Sequence, residues 1–243
     1  MRTQLTKIVL AASIGLALAL TISCSGKESV SGVVIGSKTW TTKNLDINVP
    51  GSKCYGEGSE SPALSEAEVQ ANCAKYGRLY DWAAVMALPS KCNSTLSTKD
   101  EECTVTTPYH RGICPEGWHV PNNEEWDDLF RIADGTNGTN GPYDSHTAGR
   151  YLKAKEGWEN CGPLGSGRSY MCEDTKGFAA LPGGSGNSFG SFNDVGGGGL
   201  WWSSSEYNAS NVYSRFMTYN SEGVYRNNSS KNGLFISVRC LQD

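Results

Sequence analysis

Eight cysteines distributed from Cys54 to Cys240, behind an apolar N-terminal run, constrain this chain more than any other feature. A ninth, Cys24, stands apart at the end of that run. Met1–Lys7 carries Arg2 and Lys7, and Ile8–Ile22 is an uncharged, largely apolar stretch. A membrane-spanning helix needs about 20 apolar residues, so the run is short for a span and suits the core of a secretion signal. Ser23 places a small residue just before Cys24, as cleavage by a lipoprotein signal peptidase requires. The expectation is therefore a signal peptide over residues 1–23, acylation of Cys24, and a short polar tether over residues 24–31. Thr21 stands where Leu is usual in such sites, so ordinary secretion with cleavage nearby, or an uncleaved anchor, are the alternative readings. Ser25 rather than Asp follows Cys24, so the retention signal of many inner-membrane lipoproteins is missing. The expected location is the cell envelope, as an outer-membrane lipoprotein held by its acyl chains.

Export places the other eight cysteines in an oxidising compartment, where an even set reads as a disulfide framework. They are Cys54, Cys73, Cys92, Cys103, Cys114, Cys161, Cys172 and Cys240. No CxxC pair and no zinc-like Cys/His spacing occurs, so no metal site and no cofactor is expected. Eight cysteines allow on the order of a hundred connectivities. The expected one has three local staples, Cys54–Cys73, Cys92–Cys103 and Cys161–Cys172, closed by a long-range Cys114–Cys240 bridge. The whole chain carries a net charge of −4, and losing Arg2 and Lys7 makes it more acidic. Nucleic-acid binding needs a basic patch, so it is excluded as a function.

Local signals place the elements. Val33–Ile35 and Lys38–Asn44 read as a hairpin around Gly36-Ser37. Ser65-Glu66-Ala67-Glu68 matches a capping box and opens a helix that Gly77 closes. Asp81–Leu88 reads as an apolar helix stopped by Pro89. Trp126, Leu129, Phe130 and Ala133 fall on one face of a helix over Asn123–Ala133, and Thr147–Ala154 is a further short helix. After Phe178 come a Gly-rich loop, Gly183–Gly199, and four strands: Gly199–Ser204, Val212–Thr218, Gly223–Asn227 and Phe235–Cys240.

Six motifs recur in order: KTWTTKNL from Lys38, GRLYDWAAVM from Gly77, CPEGWHVPNNEEW from Cys114, GFAALPGG from Gly177, WWSSSE from Trp201 and SVRC from Ser237. Together they resemble the Fibrobacter succinogenes major paralogous domain, a family of surface lipoprotein domains, over about residues 32–243. Cys114 and Cys240 lie inside those motifs, which supports their pairing, whereas Lys53–Cys73 and Lys91–Cys103 are extra cysteine-bearing loops outside the usual pattern. The GWHVP-x-x-x-EW segment also resembles the formylglycine-generating-enzyme type of C-type-lectin-like fold. That implies an α+β domain with a small twisted antiparallel sheet, two to four short helices and long disulfide-stapled loops. The resemblance implies no catalytic activity, and no reactive cysteine pair of the formylglycine-generating kind is evident.

Catalytic candidates weaken on inspection. Gly186–Gly190 matches GxSxG, but Ser188 lies between glycine-rich runs rather than between a strand and a helix. His110, His119 and His146 are scattered, and His119 is expected to be packed and hydrogen-bonded. Glu124 and Glu125 occupy a first helical turn, where they complement the dipole. For ligand binding, Trp201 and Trp202 are adjacent and point to opposite faces of a strand, so one is expected in the core and the other as a stacking platform. With Asn193 and Asp194 on the neighbouring loop they form the candidate rim. A glycan or another surface protein is the expected ligand. A divergent enzyme on the formylglycine-generating scaffold, or a structural envelope lipoprotein without a small ligand, is the alternative.

Overall fold

The computed structural model describes residues 30–60, 63–94, 100–105, 107, 109–135 and 145–243. The expected signal segment, Cys24 and most of the expected tether lie outside the described residues. The chain opens with a hairpin, β1 (Gly32–Ile35) and β2 (Lys38–Thr41), as its spacing predicts. Then come β3 (Ser52–Lys53), α1 (Glu66–Tyr76), β4 (Leu79–Tyr80) and α2 (Trp82–Val85). Next are β5 (Trp118–His119), α3 (Asn123–Asp134) and α4 (Ala148–Leu152). Two short strands follow, β6 (Cys161–Gly162) and β7 (Tyr170–Met171), then β8 (Gly183–Asn187) and β9 (Phe192–Val195). The chain ends with β10 (Gly198–Glu206), β11 (Asn211–Thr218), β12 (Tyr225–Ser230), β13 (Leu234–Phe235) and β14 (Leu241–Gln242).

Among the described residues the result is a mixed α and β domain with four α-helices, two principal sheets and four disulfides. One sheet has the order β1-β2-β14-β5, and the other runs β12-β11-β10-β8-β13 with β9 on β8. Pairing is antiparallel except for β10 with β8 and β6 with β7. Both long helices start on reciprocal caps. Ser65 Oγ accepts from the Glu68 amide, and the Asn122 side chain accepts from the Glu125 amide, while each glutamate reaches back to the cap. Trp126, Leu129, Phe130 and Ala133 turn inward together.

Three segments depart from the sequence-based expectation. The Asp81–Leu88 helix is only Trp82–Val85, because its last carbonyls are taken by distant partners. Ile113 donates its amide to the Val85 carbonyl at 2.9 Å, and His110 Nε2 lies 2.7 Å from the Met86 carbonyl. Gly112, at a φ of +54°, makes that approach feasible: a Cβ there would lie 2.1 Å from the Val85 oxygen. Phe235–Cys240 is not one strand either. It crosses between the sheets, bonding first to Tyr80 through Ile236, then to Leu200 and Trp202 through Ser237, then to Leu45 through Val238 and Thr41 through Cys240. Gly183–Gly199 is mostly sheet rather than loop, since β8, β9 and the start of β10 lie within it.

The apolar interior divides into two main clusters on opposite sides of β10. Trp201 packs with Trp40, Trp126 and Phe178 in one, and Trp202 with Tyr80, Trp82 and Ile236 in the other. Both tryptophans are fully buried. The four bridges join Cys54 to Cys73, Cys92 to Cys103, Cys114 to Cys240 and Cys161 to Cys172. Among the described residues, no helix is long and apolar enough to cross a membrane.

Candidate functional site

The six sequence motifs converge, but on the interior. Asn44 sits at their meeting point. Its Oδ1 accepts from Trp201 Nε1 and from Arg239 Nε, each at 2.8 Å, and its Nδ2 donates to the Tyr76 carbonyl at 2.8 Å. Arg239 is fully buried and donates further to the carbonyls of Thr41, Phe178 and Ala179 at 2.6–2.8 Å. Its guanidinium also lies over the Phe178 ring at 4.5 Å. Burial pushes the Arg239 pKa down to about 9, with Asp174 opposing, so the group stays cationic at neutral pH. Cys240 beside it is tied to Cys114. The conspicuous residues of the chain therefore hold the fold together, and none of this cluster is offered to a ligand.

His119 belongs to the same class. Its Nδ1 lies 2.7 Å from Asp243 Oδ1, and its Nε2 lies 3.1 Å from Glu125 Oε2, with the ring 3% exposed. Burial opposes protonation of His119, but the hydrogen bonds to Glu125 and Asp243 outweigh it and the net shift is upward. Burial also opposes ionisation of Glu125, and its bonds to His119 and the Asn122 amide prevail, so its pKa falls. Glu125 thus does more than complement a helix dipole: it caps α3 and joins that helix to β5. Ser188 sits just past β8 on a β-hairpin, its amide donating to the Gly233 carbonyl, and no helix follows it. Among the described residues, no group of three or more His, Cys, Asp or Glu side chains is arranged to hold a metal ion.

The candidate rim is divided. Trp201 and Trp202 cannot serve as a platform, because β10 is covered on both faces and each indole N–H is already used. Trp201 donates to Asn44, and Trp202 to the Tyr80 carbonyl at 2.8 Å. Asn193 and Asp194, by contrast, are exposed on β9. The aromatic surface beside them comes from residues that carried no obvious signal. Phe192 of β9 faces Tyr55, with ring centroids 5.3 Å apart, and Phe189 at the β8–β9 turn is 91% exposed. The glycines of β8 explain the closeness: a Cβ on Gly186 would lie 2.7 Å from the Phe192 ring, and one on Gly184 would lie 3.0 Å from the Tyr55 ring. The Phe189 turn is held by Asn187, whose Oδ1 accepts from the amides of Phe189 and Ser191.

Tyr55, Leu64, Phe192 and Val195 line a largely apolar cleft of about 390 Å3, with Glu68 and Asn72 at its polar edge. Burial pushes the Tyr55 phenol upward; a hydrogen bond to the Val195 backbone opposes this and the charge of Asp194 adds to it. Tyr55 and Leu64 belong to the segment closed by Cys54–Cys73. A larger cleft of mixed polar and apolar lining, of about 630 Å3, opens beside Cys92–Cys103. Each of the two extra cysteine-bearing loops therefore borders a cleft.

These features define a disulfide-stapled, mixed α and β domain whose conspicuous motifs are internal, with clefts that border its cysteine-bearing loops. The Fibrobacter succinogenes major domain model matches residues 33–242, and the chain belongs to that family. Comparison with curated proteins and with solved structures finds no match.

Proposed function

We propose that this protein is an exported, lipid-anchored, non-enzymatic domain of the cell envelope that binds a glycan or another surface protein through its loops. The observation that carries this reading is the rim formed by Tyr55, Phe189 and Phe192 beside Asn193 and Asp194. An aromatic ring left 91% exposed at the tip of a well-tied turn gains nothing for folding, and Phe192, three residues further along the same hairpin, lines an aromatic cleft. Rings give a flat apolar surface, and the neighbouring amide and carboxylate give directional bonds, which together suit a sugar face or a partner's side chain. The short helices, the hairpins and the disulfide-held loops favour a C-type-lectin-like reading of the fold. Anchorage rests on Cys24 and the segment before it, and Ser25 favours the outer membrane.

The test is a glycan array and an envelope pull-down with the oxidised chain, comparing the wild type with Phe189→Ser and with Asn193→Ala. Binding in one assay that falls about tenfold in either variant is expected. No ligand in either assay, with folding verified, overturns the binding reading. Mass spectrometry of the N-terminal peptide tests anchorage: Cys24 is expected to carry acyl chains, and Cys24→Ala to release the protein from membranes.

A further inference from the structure

The larger, mixed cleft lies between elements far apart in sequence. The Cys92–Cys103 bridge and Thr104 form one side. The end of β10, Ser204–Glu206, forms another, together with Glu124 from the first turn of α3 and Tyr213 from β11. Its volume of about 630 Å3 falls within the range of small-ligand sites, about 300–1,000 Å3.

The lining is held in place before any ligand arrives. Ser205 Oγ accepts from the Asn123 amide at 2.9 Å, and the Ser204 amide donates to the Pro121 carbonyl at 2.9 Å, so α3 and β10 are joined at the cleft. Lys231, almost fully buried, donates to Glu206 at 2.7 Å. Tyr213 is braced by a T-shaped contact with Tyr207, centroids 5.4 Å apart, and by the Arg226 guanidinium, 4.8 Å from its ring centroid. On the far side, beside the Cys92–Cys103 disulfide, Lys91 pairs with both Asp100 and Glu102 at 2.7 Å. A lining fixed in this way loses little entropy on binding.

The chemistry of the lining narrows the ligand. The carboxylates of Glu206 and Glu124 are balanced by Lys231 and by Arg226 against Tyr213, so these groups offer no net charge that would select an anion or a cation. A solvated carboxylate such as Glu124 gives a simple cation little, because water screens it. An apolar ligand would cover the Glu206–Lys231 pair and the serine hydroxyls without replacing their water. A neutral polyhydroxylated ring meets all of these conditions. Its hydroxyls donate to Glu124 and Glu206 and exchange hydrogen bonds with Ser205 and Thr104, and its C–H face packs on Tyr213. We propose that this cleft, bordered by the Cys92–Cys103 loop, is a binding site for a neutral saccharide, distinct from the aromatic rim.

The test is calorimetric titration of the intact, oxidised chain with neutral gluco- and manno-hexasaccharides, their peracetylated forms, and hexauronates of matching length. At least one neutral hexasaccharide is expected to bind with a Kd below about 1 mM. Glu124→Gln and Tyr213→Ala are each expected to weaken that binding about tenfold, while Phe189→Ser leaves it unchanged. Peracetylated and acidic forms are expected to bind about tenfold more weakly than the neutral parent. Thr104→Leu, at an exposed position, fills the cleft without touching either core and serves as a variant whose folding is not at stake. Failure of every neutral hexasaccharide to bind, unchanged affinity in Glu124→Gln and Thr104→Leu, or equal binding of the hexauronates would overturn the proposal. Loss of binding in Phe189→Ser with no change in Glu124→Gln would assign the saccharide to the rim instead.

Discussion

Asn44 joins several parts of this fold through one small side chain. Its small amide satisfies a buried indole, a buried guanidinium and a backbone carbonyl at once, joining the first motif of the chain to the last. Removing it strands Trp201 and Arg239 inside the protein, where neither can reach water. Asn44→Ala is expected to cost about 3 kcal/mol or more in stability, read from denaturant unfolding, because an unpaired buried donor loses its full desolvation compensation. Trp201→Phe, which removes the indole N–H while keeping most of the ring, is expected to cost less. The rim obeys the opposite logic. Phe189, Asn193 and Asp194 are exposed, so their substitution should change binding and leave stability nearly untouched.

At the scale of elements, α3 is the joint of the molecule. Its N-terminus is capped by Asn122, its Glu125 meets His119 of β5, and its apolar face delivers Trp126 to Trp40 at a centroid distance of 4.9 Å. This joint should titrate. The folded pKa of His119 is raised above its ordinary 6.5, so its contribution is fully present below that value and is lost as pH rises through the shifted one. The folded pKa of Glu125 is lowered from 4.5, so its contribution is present above 4.5 and is lost as pH falls through the shifted value. The stabilising window therefore lies between about pH 4.5 and 6.5. The stability gap between the wild type and His119→Asn, measured by urea denaturation across pH, should be widest there and narrow on both sides. A gap that is flat in pH would show the contact to be one of packing alone. Asp243, with its side chain 56% exposed, contributes less than Glu125 because water screens it.

For the whole molecule, the four disulfides do unequal work. Cys114–Cys240 spans 126 residues, whereas Cys92–Cys103 spans 11. Loop-closure entropy predicts a loss of about 5 kcal/mol when the former pair is changed to serine and about 3 kcal/mol for the latter, read from thermal or denaturant unfolding. The second change should also reduce binding at the larger cleft, which its disulfide borders. The hairpin, α3 and its caps were legible in the chain, because each depends on neighbours a few residues apart. The shortened α2 and the broken Phe235–Cys240 segment were not, because distant backbone groups claim their hydrogen bonds. Alternation along β10 indicated that Trp201 and Trp202 point to opposite faces, but only packing decides that both faces are covered. Tyr55 and Phe192 lie far apart in sequence, and nothing local brings them together. The sequence by itself determined the local elements and the family, since these follow from short-range hydrogen bonding, periodicity and ordered motifs. Tertiary structure alone decided which aromatic residues are buried and which line a cleft, because exposure depends on what the rest of the chain places over a side chain.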